Sequence, residues 1–102
     1  MARTKSETET FEAAIKTYGT EQQMIVAIEE LSELQKEICK YMRKNLGRPR
    51  FKLHEEIADV EIMLEQLKMI FKCDDAVEGW RLDKVVRLKT RLGLIPGVMQ
   101  DE

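Results

Sequence analysis

Apolar residues recur at steps of three and four along almost the whole chain, and no segment alternates with period two for long. That pattern predicts helices. Residues near 7–18 form a short first helix, stopped at Tyr18-Gly19, where glycine takes the position just past a helix end. Thr20 is expected to cap a second helix, with Gln23 three residues later completing a capping-box pattern. This helix runs to about Asn45, with Met24, Ile28, Leu31, Ile38 and Met42 on one face. The stretch NLGRPR at 45–50 is the clearest break, because glycine and proline both resist helix continuation. A third helix covers roughly Phe51 to Lys72, with Leu53, Ile57, Val60, Leu64, Leu67 and Phe71 as a continuous stripe. CDDA then supplies an Asp cap, and a fourth helix runs to about Leu92. The tail GLIPGVMQDE reads as irregular. The expected architecture is all-α, an antiparallel four-helix bundle with short connections, and one domain over 1–102 with its core at about 18–92.

The third helix has an unusual distribution of polar groups. With Leu53 set at zero and about 100° per residue, the main stripe lies near 0° and Ala58, Ile62 and Met69 lie near 160°. Glu61, Glu65, Lys68 and Lys72 gather between roughly 60° and 120°, the solvated side. Glu56 and Asp59 fall at about 300° and 240°, beside Met63 and Ile70, on the apolar side. A helix apolar on two faces is usually buried on both, and in a chain of 102 residues the second cover points to another subunit.

Composition narrows the class. Hydrophobic residues are 43% and charged residues 35% of the chain, an ordinary globular balance, and a net charge of −2 does not suggest a nucleic-acid partner. Cys39 and Cys73 lack a CxxC spacing and have one histidine for company, so they make no zinc site and read as buried free thiols. The polar start MARTKSETET lacks the apolar core of a secretory signal, and no apolar run approaches the roughly 20 residues of a membrane span. The expected location is the cytoplasm, with no membrane partner.

The acids carry the chemistry. On the second helix Glu30 and Glu33 stand three apart, with Glu29 before them and Glu37 continuing the stripe. Glu56 and Asp59 repeat the spacing on the third helix, and positions three apart share a helix face. With 19 acids in the chain, one such pair arises by chance and usually decorates a solvated face. Two pairs on antiparallel neighbours, one of them on an apolar side, let four carboxylates converge. Hard divalent cations relieve that repulsion, and Mg2+ prefers oxygen ligands with water and phosphate. Such ions clamp a phosphate chain and lower the pKa of an attacking water. A di-iron carboxylate bundle would need Glu-x-x-His pairs, and the only histidine, His54, has Phe51 three residues before it.

EELSELQKEICKYMRK followed by LHEEIADVEIMLEQLKMIF closely resembles the MazG-like, all-α nucleoside triphosphate pyrophosphohydrolases. Their signature is ExxE, a spacer, then ExxD, and it stands here as Glu30-x-x-Glu33 and Glu56-x-x-Asp59. Glu29, Glu55 and the EL and ADV contexts also match, and the likeness continues into YGTEQQ upstream and KVVRLKTRL downstream, over roughly 18–92. The resemblance implies Mg2+-dependent cleavage of a (d)NTP between the α and β phosphates, giving a (d)NMP and pyrophosphate, with Mn2+ as a substitute ion. It assigns Glu30, Glu33, Glu56 and Asp59 to the metal, and Glu33 also to the attacking water. It implies a homodimer or homotetramer, in agreement with the doubly apolar third helix, and a role in control or cleansing of the nucleotide pool.

A triphosphate needs further cations. Lys84, Arg87 and Arg91 share one helix face, and the resembling family uses such a C-terminal pattern on phosphates; the alternative is a solvated basic face that the helix dipole favours anyway. Gln23, a turn and a half before the acid stripe, is a candidate for a base edge. Arg43, Lys44, Arg48, Arg50 and Lys52 surround the turn and read first as a solubilising loop. Trp80, Phe51 and Tyr41 can stack on a base but serve as well in a core or interface. Two rival functions remain. One is another enzyme of the same superfamily, acting on dUTP or phosphoribosyl-ATP. The other is a non-catalytic helical interaction or regulatory protein whose acids are only a solvated stripe.

Overall fold

The backbone pattern is realised as helices. The computed structural model describes residues 2–44 and 51–94, and among them are four α-helices and no strand. They are α1 (Lys5–Tyr18), α2 (Thr20–Lys44), α3 (Phe51–Ile70) and α4 (Asp74–Arg91). The expected break at 45–50 and most of the expected irregular tail, 95–102, lie outside the described residues. No helix among the described residues is long and apolar enough to cross a membrane. The chain divides into two units, Met1–Phe71 and Lys72–Glu102, so that α1, α2 and α3 belong to the first and α4 to the second.

Helix α1 begins earlier than its apolar spacing predicts, because Thr4 starts it with a full capping box. The Thr4 hydroxyl accepts from the Glu7 backbone N–H at 3.0 Å, and the Glu7 carboxylate accepts from the Thr4 N–H at 2.9 Å. Gly19 ends α1 with φ +95°, a conformation open to glycine, and its N–H donates to Ile15 O at 2.9 Å. The same residue opens α2, its carbonyl accepting from Gln23 N–H at 3.0 Å. This corrects the expected cap: Thr20 is already helical, and the capping position has no side chain to offer.

Helices α1, α2 and α3 pack on one another. Arg3, just before α1, reaches α3 through a 2.9 Å ion pair with Glu65, which Lys68 also meets at 2.7 Å. Helices α2 and α3 run antiparallel: Gln23 meets Gln66 near one end, and Glu30 meets Asp59 and Glu56 further along, so partners on α3 fall in number as α2 climbs.

The face that each helix buries differs from the one its longest apolar stripe suggests. On α3 the buried residues are Glu56, Val60, Met63 and Gln66, a face centred at about 280° on the scale that puts Leu53 at zero. Ile57, Leu64 and Phe71 of the expected core stripe are exposed. On α2 the inward line holds Gln23 and Ala27, while Ile28, Leu31, Ile38 and Met42 are exposed, Ile28 by 64% and Met42 by 71%. The buried apolar side chains among the described residues are Phe11, Ala27, Val60 and Met63. A core this thin follows from the choice of face: polar groups line the α2–α3 contact, and the larger apolar stripes look outward.

The stop of α3 falls at Ile70 rather than Lys72, and Lys72 takes φ +52°, the left-handed region that breaks a helix and strains a side-chain-bearing residue by about 1 kcal/mol. In the second unit, Cys73 occupies the N-cap of α4 and makes no side-chain cap, so the expected Asp cap is displaced: Asp74 and Asp75 are in the first turn, where their charge suits the helix dipole. Gly93, at φ +73°, closes the C-terminus of α4, with Gly93 N–H on Thr90 O at 3.0 Å and Leu94 N–H on Lys89 O at 2.9 Å, the Schellman pattern. The two thiols are free, but Cys39 is exposed and Cys73 half-buried, against the expectation that both are buried.

Candidate metal centre

Three of the four acids singled out by their spacing converge. Glu30 from α2 and Glu56 and Asp59 from α3 each bring a carboxylate oxygen within 4.8 Å of the others. Two features of the local sequence do this. The i, i+3 step puts Glu56 and Asp59 on one side of α3, and the antiparallel register sets Glu30 opposite both.

The electrostatics follow from crowding. The pKa of Glu30 is raised, first by desolvation, then by a hydrogen bond with Asp59, and then by repulsion from Asp59, Glu56 and Glu33. Glu56 is the most deeply placed: its side chain is 4% exposed, yet it is a carboxylate. Its Oε1 accepts from Lys52 Nζ at 2.8 Å, one helical turn back, while its Oε2 is buried with no hydrogen-bond partner. A buried carboxylate oxygen without a donor is costly, by about 1–3 kcal/mol or more for a charged group. Lys52 also lies 3.6 Å from Glu55, and these acids, Glu56 foremost, push its pKa up to about 12.

A hard divalent cation fits this set. The donors are all carboxylate oxygens close enough together to share one small ion, and one of the three residues, Glu56, carries a buried oxygen without a partner. Glu33 stands one turn beyond Glu30 on α2, exposed, and is not one of the three that converge; its charge still acts on Glu30.

The remaining candidates lie elsewhere. Gln23 is buried, and its side-chain Nε2 donates to Gln66 Oε1 at 2.7 Å, inside the α2–α3 contact. Gln66 in turn donates weakly to Met63 Sδ at 3.7 Å. In the second unit, Lys84 and Arg87 are exposed on α4: Lys84 Nζ is 5.9 Å from the centre of the Trp80 ring, and Arg87 pairs with Asp83 at 3.1 Å. Arg91 is exposed on the same helix, as is Trp80, and Phe51 is exposed at the start of α3. Arg48 and Arg50 fall outside the described residues.

Two participants escape a reading of the sequence by spacing of like residues. Lys52 is visible there only as one member of a basic turn, although its i, i+4 relation to Glu56 is a standard ion-pair spacing. Gln66 carries no charge and no motif, and its burial follows only from the face that α3 turns to α2.

Comparison with models of protein families, with curated proteins and with solved structures finds no match to this chain in any of the three.

Proposed function

We propose that this protein is a MazG-like, Mg2+-dependent nucleoside triphosphate pyrophosphohydrolase that converts (d)NTP to (d)NMP and pyrophosphate. The observation that carries the reading is the convergence of Glu30, Glu56 and Asp59 from two antiparallel helices, with Glu56 Oε2 buried and unpartnered among them. The resemblance of Glu30-x-x-Glu33 and Glu56-x-x-Asp59 to the signature of that family supplies the substrate class.

In this reading Glu30, Glu56 and Asp59 hold the cation. A Mg2+ ion held there would supply charge neutralisation to the phosphates and acidify a coordinated water. Glu33, exposed one turn from Glu30, orients the attacking water and accepts its proton. Attack at the α phosphorus breaks the α–β anhydride bond, and pyrophosphate leaves. The resemblance assigns phosphate contacts to Lys84 and Arg87, which are exposed on α4 of the second unit, while the Gln23 amide is engaged by Gln66. The exposed apolar stripes on α2 and α3 support a homodimer or homotetramer, in which these stripes are covered. Mn2+ substitutes for Mg2+, and the setting is the cytoplasmic nucleotide pool.

The test is pyrophosphate release from a panel of NTPs and dNTPs with Mg2+, wild type beside Glu33→Gln and Asp59→Asn. The expected outcome is release by the wild type and a loss of about 10²–10⁴-fold in Glu33→Gln, the usual worth of a positioned base. Inclusion of dUTP and phosphoribosyl-ATP separates the neighbouring activities. A folded wild type that releases no pyrophosphate from any of them leaves the exposed stripes as the chief feature and favours the non-catalytic interaction protein.

A further inference from the structure

A metal-free cluster of three carboxylates needs some other cation, and α3 carries one. Lys52 Nζ lies 2.8 Å from Glu56 Oε1 and 3.6 Å from Glu55 Oε1, while its side chain stays 56% exposed. Glu56 is at the opposite extreme, 4% exposed and with Oε2 unpartnered. So a solvent-reaching ammonium is paired with the most deeply buried acid of the cluster. The two residues are one turn apart on the same helix, so the pair is local to α3.

We infer that Lys52 is the cation that serves the three carboxylates without metal, and that it lowers the affinity for a divalent ion because its ammonium, held on Glu56 Oε1, repels an ion bound to the same carboxylate. This inference rests on the metal-site reading above. A divalent ion on Glu30, Glu56 and Asp59 places two positive charges close to Nζ. Like charges at such short range repel even in high dielectric, so the ammonium swings out along its exposed stem. In the absence of metal Lys52 offsets part of the repulsion among the acids and keeps Glu56 buried. In its presence Lys52 sets a ceiling on affinity, so that an ion arriving already bound to an anionic ligand, whose charge offsets the repulsion, is favoured over the bare ion. The class of ligand this selects is a metal-complexed polyanion such as a nucleotide phosphate chain.

The experiment is titration of the metal-free protein with Mn2+ alone, read by the loss of the free-ion electron paramagnetic resonance signal. Wild type, Lys52→Gln, Lys68→Gln and Asp59→Asn are compared at about 0.15 M ionic strength, where the screening length is about 8 Å. Lys68 pairs with Glu65, nine residues or about 13 Å along α3 from Asp59, and serves as a matched loss of charge beyond the screening length. Lys52→Gln is expected to bind Mn2+ about fivefold to tenfold more tightly than wild type, Lys68→Gln equally, and Asp59→Asn much more weakly. Equal or weaker binding by Lys52→Gln, with wild type binding normally, overturns the role of Lys52 and leaves the metal site standing. Absence of Mn2+ binding by the wild type overturns both. A second reading uses the wild type alone and does not depend on the variant folding: amine labelling followed by mass spectrometry. Addition of Mg2+ is expected to raise labelling at Lys52 severalfold and leave Lys68 unchanged; unchanged Lys52 labelling overturns the proposal.

Discussion

Gln23 and Gln66 face each other across the α2–α3 contact, Nε2 to Oε1 at 2.7 Å, and both are buried. Two primary amides in a thin core are a specific pair: each can satisfy the other, and neither is satisfied by an apolar neighbour. Their link lies on the same α2–α3 contact that sets Glu30 opposite Glu56 and Asp59.

Removal of Gln23 takes the donor from Gln66 Oε1, and removal of Gln66 takes the acceptor from Gln23 Nε2, both in a buried contact. Gln23→Leu and Gln66→Leu are each expected to destabilise the protein by about 1–3 kcal/mol, the cost of an orphaned polar group. The double variant is expected to recover most of that loss, because both polar groups leave together. Urea denaturation of the four proteins checks this as a double-mutant cycle. Single variants within about 0.5 kcal/mol of wild type would show that the pair is not energetically coupled.

The crowded acids give the metal-free protein a pH signature. The pKa of Glu30 is raised from its usual value of 4.5, with desolvation the first cause and the Asp59 hydrogen bond the second. The folded chain therefore keeps a proton that the unfolded chain gives up. Its contribution to stability is fully present below the unfolded value and is lost as pH rises through the folded one. In a chelator, the stability of wild type relative to Glu30→Gln is expected to fall as pH climbs from about 4.5 toward neutrality. Denaturation midpoints of both proteins across that range measure the difference; a flat difference would argue that the Glu30–Asp59 contact is not felt.

The outward stripes predict association. Ile28 and Met42 are 64% and 71% exposed, on a face of α2 about a quarter to a third of a turn from its polar inner line. Charges placed there cost the single chain little but are poorly tolerated in an apolar interface. Sedimentation is expected to give a mass of two or four chains for wild type and of one chain for Ile28→Glu with Met42→Glu. A wild type that sediments as a single chain at micromolar concentration would remove the homo-oligomer from the proposal.

What the sequence determined by itself is local. Three- and four-residue apolar steps, the glycine at 19 and the ExxE and ExxD spacings placed the helices and the same-face acid pairs, because helix geometry alone converts spacing into direction. It also set Glu56 and Asp59 away from the solvated side of α3. Tertiary structure decided which face each helix turns to its neighbour. A helix with apolar residues on two sides has two ways to bury itself, and the choice depends on the contacts made with the neighbouring helix. Here those contacts include Gln23 with Gln66 and the Glu30, Glu56 and Asp59 cluster, so the longer apolar stripes through Ile28 and Leu64 face outward. The same choice left Glu33 exposed beside the cluster rather than within it, whereas the Lys52–Glu56 pair is an i, i+4 contact local to α3. Spacing along one helix cannot rank these outcomes, since the energy that separates them belongs to the pairing of two helices.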